Sequence, residues 1–208
     1  MRGLKFVLTL FFSLMAMVSS ATTVDTNLPP DQLVEKVSNN VLDEIRKDSA
    51  LAQAEPAHVR LLVDEHILPY TDFSRMTKMA VGPGWRKATE AQRNEIQQLF
   101  RQLLTAVYSG ALKEASSYKV VLKNNKFSLT DRTVLIRTQL SSPSQEPIQL
   151  DYRLLNNGKV WKIFDVNVGG VWLVENYRSQ FSSVINSSGV QGLIQQLKER
   201  VSKLENQK

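Results

Sequence analysis

The spacing of apolar residues changes twice along this 208-residue chain, and that change constrains the fold more than any other feature. Up to about residue 117 apolar side chains recur every three or four positions, the repeat of one helix face. From 118 to about 168 they recur every second position, the repeat of a strand, and after Gly169-Gly170 the helical repeat returns. A block of closely spaced strands between two sets of helices predicts an α+β fold with an antiparallel sheet.

Leu33, Val34, Val37, Val41, Leu42 and Ile45 predict an amphipathic helix over 31–48. Pro56 suits the first turn of a second helix, in which Val59, Leu62, Val63, His66, Ile67 and Tyr70 form one stripe. Pro69 should end or kink it. Asp72 is placed to cap a short helix over 72–81, stopped by Gly82-Pro83-Gly84. Thr89 and Gln92 have the spacing of a capping box, each side chain satisfying the other's free backbone N–H. They open the longest predicted helix, 89–113, with Ile96, Leu99, Phe100, Leu103, Leu104, Val107 and Ala111 inward.

Strands are predicted around Tyr118, Val120 and Leu122, around Phe127 and Leu129, and over Val134, Ile136, Thr138 and Leu140. Ile148, Leu150, Tyr152 and Leu154 alternate with Gln149, Asp151 and Arg153, and Asn156-Asn157-Gly158 has the residues of a hairpin turn. The return strand, 159–168, is irregular: Trp161 and Ile163 share one face while Phe164, Val166 and Val168 fall on the other. Either a bulge or cover on both faces accounts for it, and cover on both faces is expected. Leu173, Val174, Tyr177, Phe181, Val184 and Ile185 then predict a helix, and Ser188 with Gln191 a capping box for a last one. The expectation is one domain over 22–208: a meander of four or five strands packed against N- and C-terminal helices, with some apolar side chains lining a cavity between them.

Residues 1–21 have the form of a secretory signal: Arg2 and Lys5, an apolar run of 13 residues from Phe6 to Val18, and small Ser19 and Ala21 at the cut. The run falls short of the ~20 residues that span a bilayer. The chain has no cysteine, which excludes disulfides, thiolate metal sites and Cys nucleophiles, and without a cysteine at the cut a freely soluble mature protein is expected. Charge is uneven: 22–74 carry a net −6, 75–137 a net +8 and 138–208 a net +2. A basic middle third can attract anionic headgroups or an acidic partner. Nucleic acid is not expected behind an export signal.

Little catalytic chemistry is on offer. The two histidines, His58 and His66, have no metal-binding spacing, and His66 falls on an apolar stripe, where a core role is expected. No nucleophile elbow, P-loop or dinucleotide-binding turn occurs. No metal, cofactor or enzyme activity is expected. The competing readings are a hydrolase of lipid or envelope material using His66 or Asp72, and an adaptor that binds no lipid.

Two long segments carry a resemblance. Leu68-Pro69-Tyr70-Thr71-Asp72-Phe73-Ser74-Arg75-Met76 with Gly82, Trp85-Arg86-Lys87-Ala88-Thr89, Gln92-Arg93 and Phe100 is one. The other is Gly170-Val171-Trp172-Leu173-Val174-Glu175-Asn176-Tyr177-Arg178-Ser179-Gln180-Phe181 with Gly189 and Leu193-Ile194. In order and spacing over the whole chain after residue 21, the sequence resembles the MlaC (toluene-tolerance) family. The resemblance implies a periplasmic phospholipid carrier, working as a monomer between an outer-membrane lipoprotein–porin complex and an inner-membrane ABC transporter bearing a substrate-binding ring. Phospholipid is then cargo, not cofactor. One position departs: the family pattern implies a small Ser where Trp172 stands, which bears on pocket volume or on the helix start.

Carrying a phospholipid through water means hiding ~30 methylenes at ~0.8 kcal/mol each, roughly 24 kcal/mol, which requires an apolar cavity. Periodicity and family motif together nominate Tyr70, Phe73, Met76, Met79 and Trp85 for its wall, with Phe100, Leu104, Val107 and Tyr108 from the long helix. The sheet contributes Tyr152, Leu154, Trp161, Ile163, Phe164 and Val166, and the segment after it Val171, Trp172, Tyr177 and Phe181. Arg75, Lys78, Arg86 and Lys87 are the candidates for contact with a lipid headgroup or an acidic partner.

Overall fold

Pro30 opens the first helix, α1 (Pro30–Lys47), where a missing N–H costs nothing. The computed structural model describes residues 23–206, so the leader expected at 1–21 lies outside the described residues. Asp48 follows α1 and caps a short α2 (Ser49–Ala52) by accepting from Ala50 N. α3 (Pro56–Leu62) runs into a π turn (Val63–Ile67) and a 3₁₀ turn (Leu68–Tyr70). Pro69 explains the widening: in an α-helix its ring would press on the carbonyl of Glu65, and in the π turn Leu68 N–H reaches back to Val63 O instead. The 3.6 phase is lost there, and His66 is half-buried at a surface pocket rather than in the core.

Asp72 caps α4 (Phe73–Val81), accepting from Arg75 N at 3.0 Å. After α5 (Gly84–Lys87) the Thr89–Gln92 capping box opens α6 (Glu90–Tyr108), with reciprocal bonds of 3.0 and 3.2 Å. α6 stops short of 113: Ser109 Oγ donates to Ala106 O, and a 3₁₀ turn through Gly110 leads into α7 (Leu112–Ala115).

Among the described residues the sheet has six antiparallel strands, five of them on one path, as the expected meander requires, with β2 off it: β1 (Lys119–Leu122), β2 (Thr133–Ile136), β3 (Thr138–Ser141), β4 (Ile148–Asn156), β5 (Trp161–Val168) and β6 (Val171–Trp172). The branch at β2 and the return at β6 have local causes. The run over 134–140 breaks at Arg137, whose N–H donates to Asn125 Oδ1, while Thr138 N donates to the buried carboxylate of Asp151. β2 therefore pairs with the C-terminal half of β4, and β3 pairs with the other end of β4 and with β1. Gly169-Gly170 folds the two-residue β6 back onto β5. The strand expected at Phe127 and Leu129 is a turn, closed by Asp131 accepting from Ser128 N and donating to Ser128 O.

The irregularity of β5 is a bulge. Arg153 faces Asp165 and Leu154 faces Ile163, leaving Phe164 as the extra residue. Trp161, Ile163 and Val166 thereby share one face with Tyr152 and Leu154. The other face is covered as well, since Phe164 is buried with Met76, Leu155 and Val174.

α8 (Leu173–Glu205) is broken at Gly189, whose φ of 67° and ψ of −171° no helix contains. Gln191, expected to answer Ser188 in a capping box, instead accepts from Gln92 of α6. Four packed clusters result among the described residues. The largest joins α4, α6 and α8 around Phe100, whose ring lies 4.9 Å from Tyr177 and 5.3 Å from Phe181. A second fills the space between α1 and the sheet, a third joins α1 to α3, and the fourth sits under the β5 bulge. No helix among the described residues is long and apolar enough to cross a membrane.

Phe100→Ala should cost about 3–5 kcal/mol, the range for deleting a buried aromatic ring. Gly189→Ala should cost about 1–2 kcal/mol because its φ is positive. Thermal unfolding of the two variants checks the order; equal midpoints would contradict it.

Candidate functional site

Between α3, α4, α6 and β5 the four clusters meet without closing, and they leave an apolar cavity of about 200 Å³. Val59, Leu62, Val63, Ile67, Leu68 and Thr71 form one wall. Phe73 and Met76 of α4 form the second, and Arg101, Leu104, Thr105 and Tyr108 of α6, continued by Ser109 and Leu112, the third. Val166 of the sheet and Leu173 at the start of α8 complete it. Among the described residues, Arg101 is the one charged side chain on this wall. A groove of about 310 Å³ adjoins it along the α3–α6 seam, sharing Val59, Val63, Arg101 and Thr105. The seam is tied by Arg101 Nη1 donating to Asp64 Oδ1 of the π turn at 2.9 Å.

The walls are anchored from outside. Thr71 bridges to Ile163, Asp72 N donates to Ile163 O at 2.7 Å, and Lys162 Nζ donates to Pro69 O, so the end of the α3 wall is stitched to β5. The other end of α3 is held by His58 Nδ1 against Asp48 Oδ2 at 2.6 Å. That bond raises the His58 pKa above its ordinary 6.5 and lowers that of Asp48.

At the start of α8, Trp172 occupies the N-cap position and offers no side-chain cap. The cap comes from the sheet: Asp165 Oδ1 accepts from Val174 N at 3.0 Å, and Asp165 Oδ2 accepts from Arg153 Nη1 at 3.0 Å. Burial pushes the Asp165 carboxyl up, and the bonds from Val174 N and Arg153 pull the other way. Arg153 also pairs with Glu175 and lies 3.8 Å over the Trp172 ring. Trp172 is therefore a platform for Arg153 and does not narrow the cavity.

Of the nominated wall residues, Phe73, Met76, Leu104, Tyr108 and Val166 line the cavity. Trp85, Phe100, Tyr177 and Phe181 are packed in the largest cluster, and Tyr70, Tyr152, Leu154, Trp161 and Ile163 between α1 and the sheet. The Tyr152 hydroxyl bonds Ser38 Oγ, and burial pushes its pKa up to about 12. Phe164 and Met79 belong to the fourth cluster, while Val107 and Val171 are 41% and 50% exposed. Arg75 lies over Phe164, and Lys78, Arg86 and Lys87 point into solvent; none of the four is on the cavity wall.

What the sequence reading missed is the α3 side and Arg101. Val59, Leu62, Val63 and Ile67 stood on a recognised stripe, which reads the same whether it faces core or void. Arg101 adjoins the α6 stripe one position after Phe100, and no motif marks it.

The model of the family described as MlaC protein matches residues 35–199. The sequence is 23% identical over 202 residues to the intermembrane phospholipid transport system binding protein MlaC of Haemophilus influenzae, covering 96% of this chain and 91% of the relative. It is 23% identical over 162 residues to the toluene tolerance protein ttg2D of Pseudomonas putida, covering 77% of this chain and 74% of the relative. Among solved structures it matches a phospholipid-binding protein from Ralstonia solanacearum in complex with a phospholipid. That match has a TM-score of 0.83 and 36% identity, covering 86% of this chain and 99% of that one.

A raised His58 pKa means its bond to Asp48 contributes fully below pH 6.5 and fades as pH rises through the folded-state value. The lowered Asp48 pKa sets the lower edge, below which protonation of the carboxylate loosens the same tie. An NMR titration should give His58 a midpoint above 6.5 that falls back in Asp48→Asn; an unshifted midpoint in the parent protein would contradict the assignment.

Proposed function

The chain belongs to the MlaC family, and from that premise we propose that it carries phospholipid through the periplasm by burying acyl chain in the cavity behind α3 and α6. Export by the leader at 1–21 would deliver it there. In this reading it shuttles cargo as a monomer between an outer-membrane lipoprotein–porin complex and an inner-membrane ABC transporter with a substrate-binding ring, which maintains the lipid asymmetry of the outer membrane.

The observation that carries the reading is the wall chemistry. A cavity of about 150 Å³ lined by aliphatic and aromatic side chains takes up benzene in preference to water. One of about 200 Å³, lined mainly by Val, Leu, Ile, Phe and Met, offers the same environment to a stretch of alkyl chain. The adjoining groove of about 310 Å³ gives the remainder of a two-tailed lipid a place to continue once the seam parts. Hiding ~30 methylenes at ~0.8 kcal/mol each makes spontaneous release into water very slow, so unloading needs a partner that offers an equally dry path.

The hydrolase reading has no support. The relatives are named for binding, transport and toluene tolerance, Asp72 is engaged in capping α4, and His66 lies on a different pocket from the cavity.

The test is native mass spectrometry with solvent extraction of the protein purified from its exporting host. A phospholipid adduct is expected, and its absence would remove the main support. Leu104→Trp, which fills the cavity from α6, should lower the lipid-bound fraction by about tenfold, equivalent to ~1.4 kcal/mol. Its thermal midpoint should fall by only a few degrees, because Leu104 borders open space.

A further inference from the structure

Resting on the carrier reading, we propose that Arg101 receives the lipid's phosphodiester, and that Asp64 holds the Arg101 guanidinium across the seam until cargo displaces it. An apolar cavity with one cation on its wall is complementary to a ligand that is apolar along its length and anionic at one end. Arg101 stands on the walls of both the cavity and the groove. A phosphate held there leaves the tails, joined to it through the glycerol backbone, pointing into the cavity and the headgroup alcohol towards solvent. Thr105, one turn further along α6, lines both spaces beside it and adds a hydroxyl donor.

The present partner of Arg101 is exchangeable. The Asp64 side chain is 42% exposed and the Arg101 side chain 40%, and an ion pair this wet contributes little to stability. A phosphodiester accepts from the same planar fork through two oxygens, with both parallel N–H groups engaged. Exchange has a mechanical consequence as well. Asp64 sits in the π turn, so releasing it unties the α3 wall from α6 where cavity and groove adjoin. Headgroup capture and widening of the tail path are then one event. The groove also carries Arg60, a second cation on the α3 lip, and Glu205, which disfavours a second anion at the end of α8.

The test uses delipidated full-length mature protein and phosphatidylglycerol vesicles doped with diacylglycerol of the same acyl chains, which has tails but no phosphate. Bound lipid is weighed after the vesicles are removed. The parent protein should take phosphatidylglycerol in preference to diacylglycerol. Arg101→Gln should cut that preference by about tenfold, the loss expected for one charge-assisted fork. Arg101→Lys should restore part of it, and Asp64→Asn should load phosphatidylglycerol at least as fast as the parent. Excess inorganic phosphate should leave uptake unchanged.

An Arg101→Gln protein with the parent's preference overturns the assignment and leaves the carrier reading standing. Equal losses in Arg101→Gln and Asp64→Asn also overturn it, since the pair would then serve only to hold the seam. Uptake abolished by inorganic phosphate makes Arg101 a free-anion site instead. A parent protein that takes up neither lipid overturns both readings. Thermal midpoints within a few degrees of the parent's keep the variants interpretable, as expected for an exposed pair.

Discussion

The cavity persists because each of its walls already belongs to a packed core on its other side. Val59 and Leu62 are part of the α1–α3 cluster, Phe73 and Leu104 pack against the α4–α6–α8 cluster, Met76 lies under the β5 bulge, and Val166 packs with the sheet. To fill the space, any one of them would have to leave a close-packed interior and open a second void, at several kcal/mol for a large side chain. Four cores that each satisfy themselves thus fix a fifth space that none of them can fill.

The same logic governs the joint between sheet and last helix. Where the family resemblance implies Ser before the helix, this chain has Trp172, and a Trp cannot accept the orphan N–H groups of the first turn. Asp165 supplies the acceptor from β5, and Arg153 joins it to Glu175 while resting on the indole. The cap of α8 thus comes from a buried carboxylate on the sheet and not from the residue before the helix. An acid buried on a strand is tolerable only with such partners, and here they also fix where Leu173 enters the cavity wall.

Much of the fold was legible because its signals are local. The capping box at Thr89, the cap at Asp72, the Asn156-Asn157-Gly158 hairpin and the apolar stripes of α1, α6 and α8 each depend on residues within one or two turns of one another. The structure departs from the local apolar pattern at two points, one set by a residue outside the strand and one by a proline. Arg137 leaves its strand because Asn125 takes its N–H, and α3 changes pitch at Pro69, which rotates His66 off the core stripe. The candidate site was legible only in part. Five nominated residues line the cavity and most of the others are core, with Val107 and Val171 exposed, because a stripe encodes that a side chain avoids water and not what it faces instead.

By itself, then, the sequence determined the kinds of element, their order, the antiparallel sheet and the family, since these follow from period, turn chemistry and contiguous motifs. Only the tertiary structure decided which apolar faces meet and which are left apart. It placed the void behind α3, set Arg101 on its wall and drew Asp64 across the seam. Those outcomes depend on distances between residues far apart in the chain, and such distances appear only when competing cores have divided the available apolar surface among themselves.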